Sequence, residues 1–185
     1  MPGNGFEHAC FISYKHPPKT APRDHFYRRF AVEFRLQLER RLATNVRTYL
    51  DEDADIGTSY PSELSQKLCK SVCMIAILVP EYPDSSWCRA EWDAMEKLEG
   101  KRLGAGKRGL IIPVALRRSP DEWNNLLKRK PEDFSKVVVP ENQLGSVSNV
   151  TKIQRIAEKV AQLVSQVKAP SEDCGQFQLQ LAGET

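Results

Sequence analysis

Eight consecutive apolar residues, Val72 to Val79, stand between Ser71 and Pro80. A strand with one wet face alternates apolar and polar side chains, so an unbroken run of strand length needs cover on both faces. A parallel sheet with helices above and below supplies that cover, and places this run at the centre of the sheet.

The remaining chain fits that architecture, because apolar runs of strand length alternate with longer stretches of helical period. Ala9 to Tyr14 reads as the first strand. A Pro-rich loop from Lys15 to Asp24 follows, and then a helix with Phe26, Phe30, Phe34 and Leu38 at i+4 spacing, for which Asp24 is the expected N-cap. Val46 to Leu50 is a short second strand, Asp51 to Pro61 its outgoing loop, and a helix carrying Leu64 and Leu68 begins near Ser62. After the central strand, a helix from about Ser85 to Leu98 carries Trp87, Glu91, Met95 and Leu98. Leu110 to Ala115 is the fourth strand, with a short helix around Pro120 to Leu127, and Val137 to Val139 is a fifth strand at an edge. The last helix, Thr151 to Val167, has Ile153, Ile156, Val160, Leu163, Val164 and Val167 along one stripe. Five strands with alternating helices predict a doubly wound α/β sheet, with the flavodoxin-like order 2-1-3-4-5. The predicted domain spans residues 1–168. Residues 169–185 are polar and aperiodic, and read as a flexible tail or linker.

Composition excludes several classes of function. A length of 185 residues suits one buried core, and a net charge of +3 is too mild for a dedicated nucleic-acid binder. The basic clusters Lys101-Arg102, Lys107-Arg108, Arg117-Arg118 and Lys128-Arg129-Lys130 read as solvated loops and helix ends. No run is long enough to span a bilayer, and the N-terminus lacks the pattern of a secretory signal, so a cytoplasmic protein is expected. Five cysteines, at 10, 69, 73, 88 and 174, are odd in number and lack Cys-x-x-Cys spacing, which suggests reduced core thiols rather than a disulfide framework or a zinc site. The three histidines, His8, His16 and His25, show no triad arrangement.

The chemistry concentrates in Ser85-Ser86-Trp87-Cys88-Arg89-Ala90-Glu91-Trp92. Trp87 and Glu91 are i and i+4 on a helix and share a face. An aromatic platform beside a carboxylate suits a site that holds a flat heterocycle and stabilises positive charge on the atom attached to it. Trp87 also reads as an anchor in the core. In the order 2-1-3-4-5 the outgoing loops of the first and third strands leave to opposite faces, and the crevice between them is the usual ligand site. The first of these loops begins at Tyr14-Lys15 and the second leads into Trp87 and Glu91, so the two polar sites converge. Cys88 reads as packing. Glu96 and Glu99, farther along the helix, read as solvent-facing.

These residues resemble a known family. His8-Ala9-Cys10-Phe11-Ile12-Ser13-Tyr14-Lys15 is similar to the first signature of Toll/interleukin-1 receptor (TIR) domains. Tyr49-Leu50-Asp51, then Gly57, Leu64, Lys70-Ser71 and Ser-x-Trp-Cys-x-x-Glu resemble plant and bacterial members more than animal receptors. The resemblance runs from about Glu7 to Val167. It implies that Glu91 is the catalytic residue of an NAD⁺ glycohydrolase, which cleaves the nicotinamide–ribose bond to give ADP-ribose or a cyclic ADP-ribose isomer. It further implies activation by TIR self-assembly, a role in bacterial anti-phage or innate-immune signalling, and a partner protein or sensor domain. NAD⁺ is then the substrate, with no cofactor and no metal.

The candidate substrate-binding residues are Ser13, Tyr14, Lys15, Asp51 and Trp87, and the assembly loop includes Asp53, Gly57 and Tyr60. Lys15 stands where an arginine is common, and Asp51 either orients the pocket or ends the strand. Nicotinamide leaves readily because departure relieves its positive charge, so the demanding part is the oxocarbenium-like ribose, which one carboxylate can stabilise. The animal-receptor Arg-Asp-x-x-Pro-Gly motif is absent, its place taken by Asp51 to Gly57, which disfavours a receptor-type adaptor. A non-enzymatic interaction scaffold is the alternative. A phospho-receiver is dismissed, because Pro80-Glu81-Tyr82 stands where the third strand would need a phosphorylatable aspartate.

Overall fold

A computed structural model describes residues 5–16, 26–42, 47–50, 60–117, 119–137, 147–168 and 173–181. Among them are β1 (His8–Tyr14), α1 (Phe26–Glu39), β2 (Thr48–Leu50), α2 (Tyr60–Cys69), β3 (Ser71–Leu78), α3 (Ser86–Leu103), β4 (Ile111–Ala115), α4 (Pro120–Leu127), β5 (Glu132–Asp133) and α5 (Val147–Gln166). The strands form one sheet in the order β2-β1-β3-β4-β5, and every neighbouring pair is parallel. This is the doubly wound, flavodoxin-like topology that the alternation of runs predicts.

The central strand behaves as its composition demands, with all eight residues of β3 buried. On one face α1 and α5 pack together. Phe30 and Phe34 of α1 are fully buried and meet Phe134 edge-on, at 5.4 and 6.1 Å between ring centroids. Edge-to-face packing suits the ring quadrupoles and fixes α1 against the segment that follows β5. On the other face lie α2 and α3.

The reversal of strand order falls between β1 and β3, which run side by side with Ser13 opposite Ala76 and Tyr14 opposite Ile77. Their carboxyl ends open on the same edge of the sheet, where a doubly wound fold places its ligands. Ser85 caps α3, its side chain accepting the Cys88 N–H, and Gly104 ends the helix at φ +97°, a conformation that a side chain resists.

The structure corrects several expectations. The edge strand is Glu132–Asp133 rather than Val137–Val139: Val137 is buried beyond the strand's end, and residues 138–140 lie outside the described residues. Cys69 and Cys174 form a disulfide, with Cα atoms 5.6 Å apart and a sequence separation of 105, so the reading of five reduced thiols fails for this pair. Residues 173–181, assigned from sequence to a flexible tail, lie on the body of the domain with Cys174 and Leu179 buried. The N-cap assigned to Asp24 lies outside the described residues.

Candidate functional site

Glu91 sits in the second turn of α3, and only 5% of its surface reaches solvent. The Ser13 hydroxyl, near the carboxyl end of β1 and itself 1% exposed, donates to Glu91 Oε2. A hydroxyl has one proton. With that proton directed at Glu91, the 2.7 Å contact between Ser13 Oγ and the Tyr82 hydroxyl is made by tyrosine donating to serine. A relay runs from Tyr82 through Ser13 to Glu91, linking the loop after β3, the end of β1 and the start of α3. In this relay Glu91 Oε2 is the terminal acceptor.

Electrostatics at this corner are consistent with that assignment. Burial, with Cys88 and Glu91 alongside, holds the Tyr82 phenol well above its ordinary range, so it remains a donor. Burial first, and Glu91 second, push the Cys88 thiol up to about 12, which makes it packing rather than a nucleophile. Lys15, which follows Tyr14 at the carboxyl end of β1, acts on Cys88 in the opposite sense.

The other sequence candidates divide clearly. Tyr14 is buried and stacks on His16, at 4.6 Å between ring centroids, so it closes the end of β1. Trp87 is half-buried one turn before Glu91 and packs against the core. Asp51, Asp53 and Gly57 lie outside the described residues; Tyr60 opens α2, with its side chain likewise outside them. Thus the structure brings Ser13 and Glu91 to one corner, with Lys15 following at the end of β1. Sequence reasoning missed Tyr82 as a member. Its available signal was a tyrosine in the short loop between the central strand and the Ser85 cap.

Glu99, read as solvent-facing, is 2% exposed. It accepts the N–H groups of Gly109 and Leu110 at 2.5 and 2.7 Å and the Arg129 guanidinium at 2.5 Å. Burial alone would raise its carboxyl, but these donors outweigh burial and hold it below its ordinary value. Arg129 therefore leaves the solvated basic group assigned from sequence. It also meets the half-exposed Glu96 at 3.1 Å, and its guanidinium lies 5.6 Å from the Trp92 ring. Trp92 in turn meets Tyr82 edge-on at 6.4 Å, so this buried network underlies the Glu91 corner.

Among the described residues no cluster of His, Cys, Asp or Glu could hold a metal ion, and no helix is long and apolar enough to cross a membrane. No curated protein sequence matches the chain. The sequence profile described as TIR domain matches residues 10–144, a span that takes in most of β1, the crossing at β3 and the whole of α3 with its Trp-Cys-x-x-Glu. On that match, with the parallel sheet in the order 2-1-3-4-5, the chain belongs to the TIR domain family.

Proposed function

We propose that this TIR domain cleaves the nicotinamide–ribose bond of NAD⁺, with Glu91 as the catalytic carboxylate. The supporting observation is the buried, Ser13-bonded carboxylate at the carboxyl edge of β1 and β3. As the C–N bond breaks, its electron pair leaves with nicotinamide, which becomes neutral, and positive charge develops on the ribose. A carboxylate screened from water acts on that charge more strongly than a solvated one. Water then bonds to the ribose carbon and loses a proton to give ADP-ribose; attack from within the same molecule gives a cyclic isomer. Trp87 and Lys15 are the residues we assign to the dinucleotide's rings and pyrophosphate, together with Asp51.

The small exposure of Glu91 supports an assembly-gated enzyme. Substrate reaches this carboxylate only after its surroundings rearrange, and we assign that rearrangement to contact between copies through the loop containing Asp53, Gly57 and Tyr60. Such gating suits a role in innate-immune or anti-phage signalling inside the cell, triggered by a sensor domain or partner. A non-enzymatic scaffold is the second reading, favoured by the same bond, because a serine clamped to a buried carboxylate also ties β1 to α3. Chromatography of NAD⁺ incubations over a range of protein concentrations separates the two. Nicotinamide release that rises more than linearly with protein supports the enzyme, and no release under crowding favours the scaffold.

A further inference from the structure

The disulfide joins α2 to a strap, residues 173–181, that lies beyond the 10–144 span of the TIR match. Cys69 ends α2, and Cys174 is bonded to it. From there the chain runs back along α2, where the Leu179 N–H donates to Ser65 Oγ at 2.8 Å. It also reaches α3, where Lys97 Nζ donates to Gln180 Oε1 at 3.0 Å. Phe177 and Gln178 face Ala90 and Ala94 across a cleft of about 230 Å³. Residues 173–181 thus bridge α2 to α3, the helix that carries Glu91 on the turn next to Ala90.

We propose that Cys69 and Cys174 are a thiol–disulfide exchange site that latches residues 173–181 across α2 and α3, and that reduction releases the strap. Exchange with a dithiol balances as follows. A reagent thiolate attacks Sγ of Cys174, the sulfur S–S bond breaks, and Cys69 leaves as a thiolate that takes a proton from water. The second reagent thiol, as its thiolate, then attacks the reagent sulfur bonded to Cys174 and displaces Cys174 as a thiolate that takes a proton from water, leaving two protein thiols and the reagent as a cyclic disulfide. Both cysteines are buried, Cys174 at 7% exposed and Cys69 at 0%, so the first attack is assigned to Cys174 as the more accessible of the pair. The Arg102 guanidinium donates to the Cys69 and Ser71 carbonyls at 2.6 and 2.8 Å, which holds the end of α2 against the start of β3.

Other thiols do not compete. Cys10 and Cys73 are buried in the sheet, and Cys88 lies under the Glu91 corner. Non-covalent hold on the strap is slight: Leu179 is its one buried apolar side chain besides Cys174 among the described residues, with Phe177 and Leu181 half-buried. A bond that closes a separation of 105 residues keeps the strap at high local concentration over its groove, and breaking it removes that advantage.

The test uses the full chain equilibrated in oxidised or reduced dithiothreitol, with alkylation mapping of cysteines and amide hydrogen exchange. Neither readout depends on NAD⁺ cleavage, so its outcome is separate from that of the proposed activity. In oxidised reagent Cys69 and Cys174 are expected to resist alkylation. In reduced reagent Cys174 alkylates first, and exchange across 173–181 rises at least tenfold while β1 and β3 remain protected. The Cys174→Ser variant should show the fast exchange in both buffers. Equal protection of the strap in both buffers, or full protection in Cys174→Ser, would overturn the latch. Free thiols at Cys69 and Cys174 after oxidation would overturn the exchange site itself.

Discussion

The Ser13 hydroxyl donates to the Glu91 carboxylate across 78 residues of sequence, fastening the carboxyl end of β1 to the second turn of α3. Both groups are buried, so neither has water as a substitute partner. This bond is what makes Glu91 a fixed acceptor at the switch point rather than a mobile surface acid.

Ser13→Ala leaves a buried carboxylate short of a donor. The cost is about 1–3 kcal/mol of stability, read by chemical denaturation. Nicotinamide release should fall at least tenfold, on the order of 1.4 kcal/mol in barrier. A variant with wild-type stability and rate would show that the bond positions nothing.

Tyr82→Phe removes the outer donor of the relay and leaves the Ser13–Glu91 bond in place. Loss of one buried neutral hydrogen bond costs about 1 kcal/mol, so the variant should be folded and lose less activity than Ser13→Ala. The reverse ranking, measured on the two purified variants side by side, would contradict the direction of the relay.

Breaking the pair of Glu99 and Arg129 should cost more than either change at the corner. Arg129→Met leaves the Glu99 carboxylate buried without its cation, a loss of about 3–5 kcal/mol. Glu99→Gln keeps the shape and still accepts from the Gly109 and Leu110 N–H groups, so it should be the milder change. Thermal melts of both variants check the ordering.

Stability should fall in mild acid because of His8. Burial first, then the charges of Lys67 and others, lowers the His8 imidazole from 6.5 to about 4. Between those values the unfolded chain binds a proton that the folded chain refuses, so folding weakens as pH drops from about 6.5 toward 4. Replacing His8 with Phe, which fills similar space beside Tyr49, should flatten that part of the profile in urea titrations across pH.

The elements legible from sequence were those whose burial is written in a long period. The unbroken apolar run of β3 and the i+4 aromatic stripe of α1 specify sheet and helix by themselves. The two-residue β5 carries no such pattern, and Val137 to Val139 was apolar enough to be read as the strand in its place. Glu99 escaped because the chain after α3 folds back over it, Gly109, Leu110 and Arg129 closing on its carboxylate, so position on a helical wheel does not separate core from solvent there. The bond between Cys69 and Cys174 was invisible for a similar reason: the fold joins residues that no local spacing relates. At the candidate site, Glu91 and Ser13 stood in recognisable motifs. Tyr82 belongs to a loop, and its role depends on a hydroxyl contact that exists only once β1 and β3 are paired.

The most direct test of Glu91 compares wild type with Glu91→Gln, an exchange that preserves the shape of the side chain and removes its charge. Both proteins are incubated with NAD⁺ over a series of concentrations, and nicotinamide is quantified by chromatography, with circular dichroism as a check on folding. The account predicts concentration-dependent release by wild type and at least a hundredfold loss in the folded variant, about 2.7 kcal/mol of transition-state stabilisation. Release by folded Glu91→Gln at the wild-type rate would contradict it.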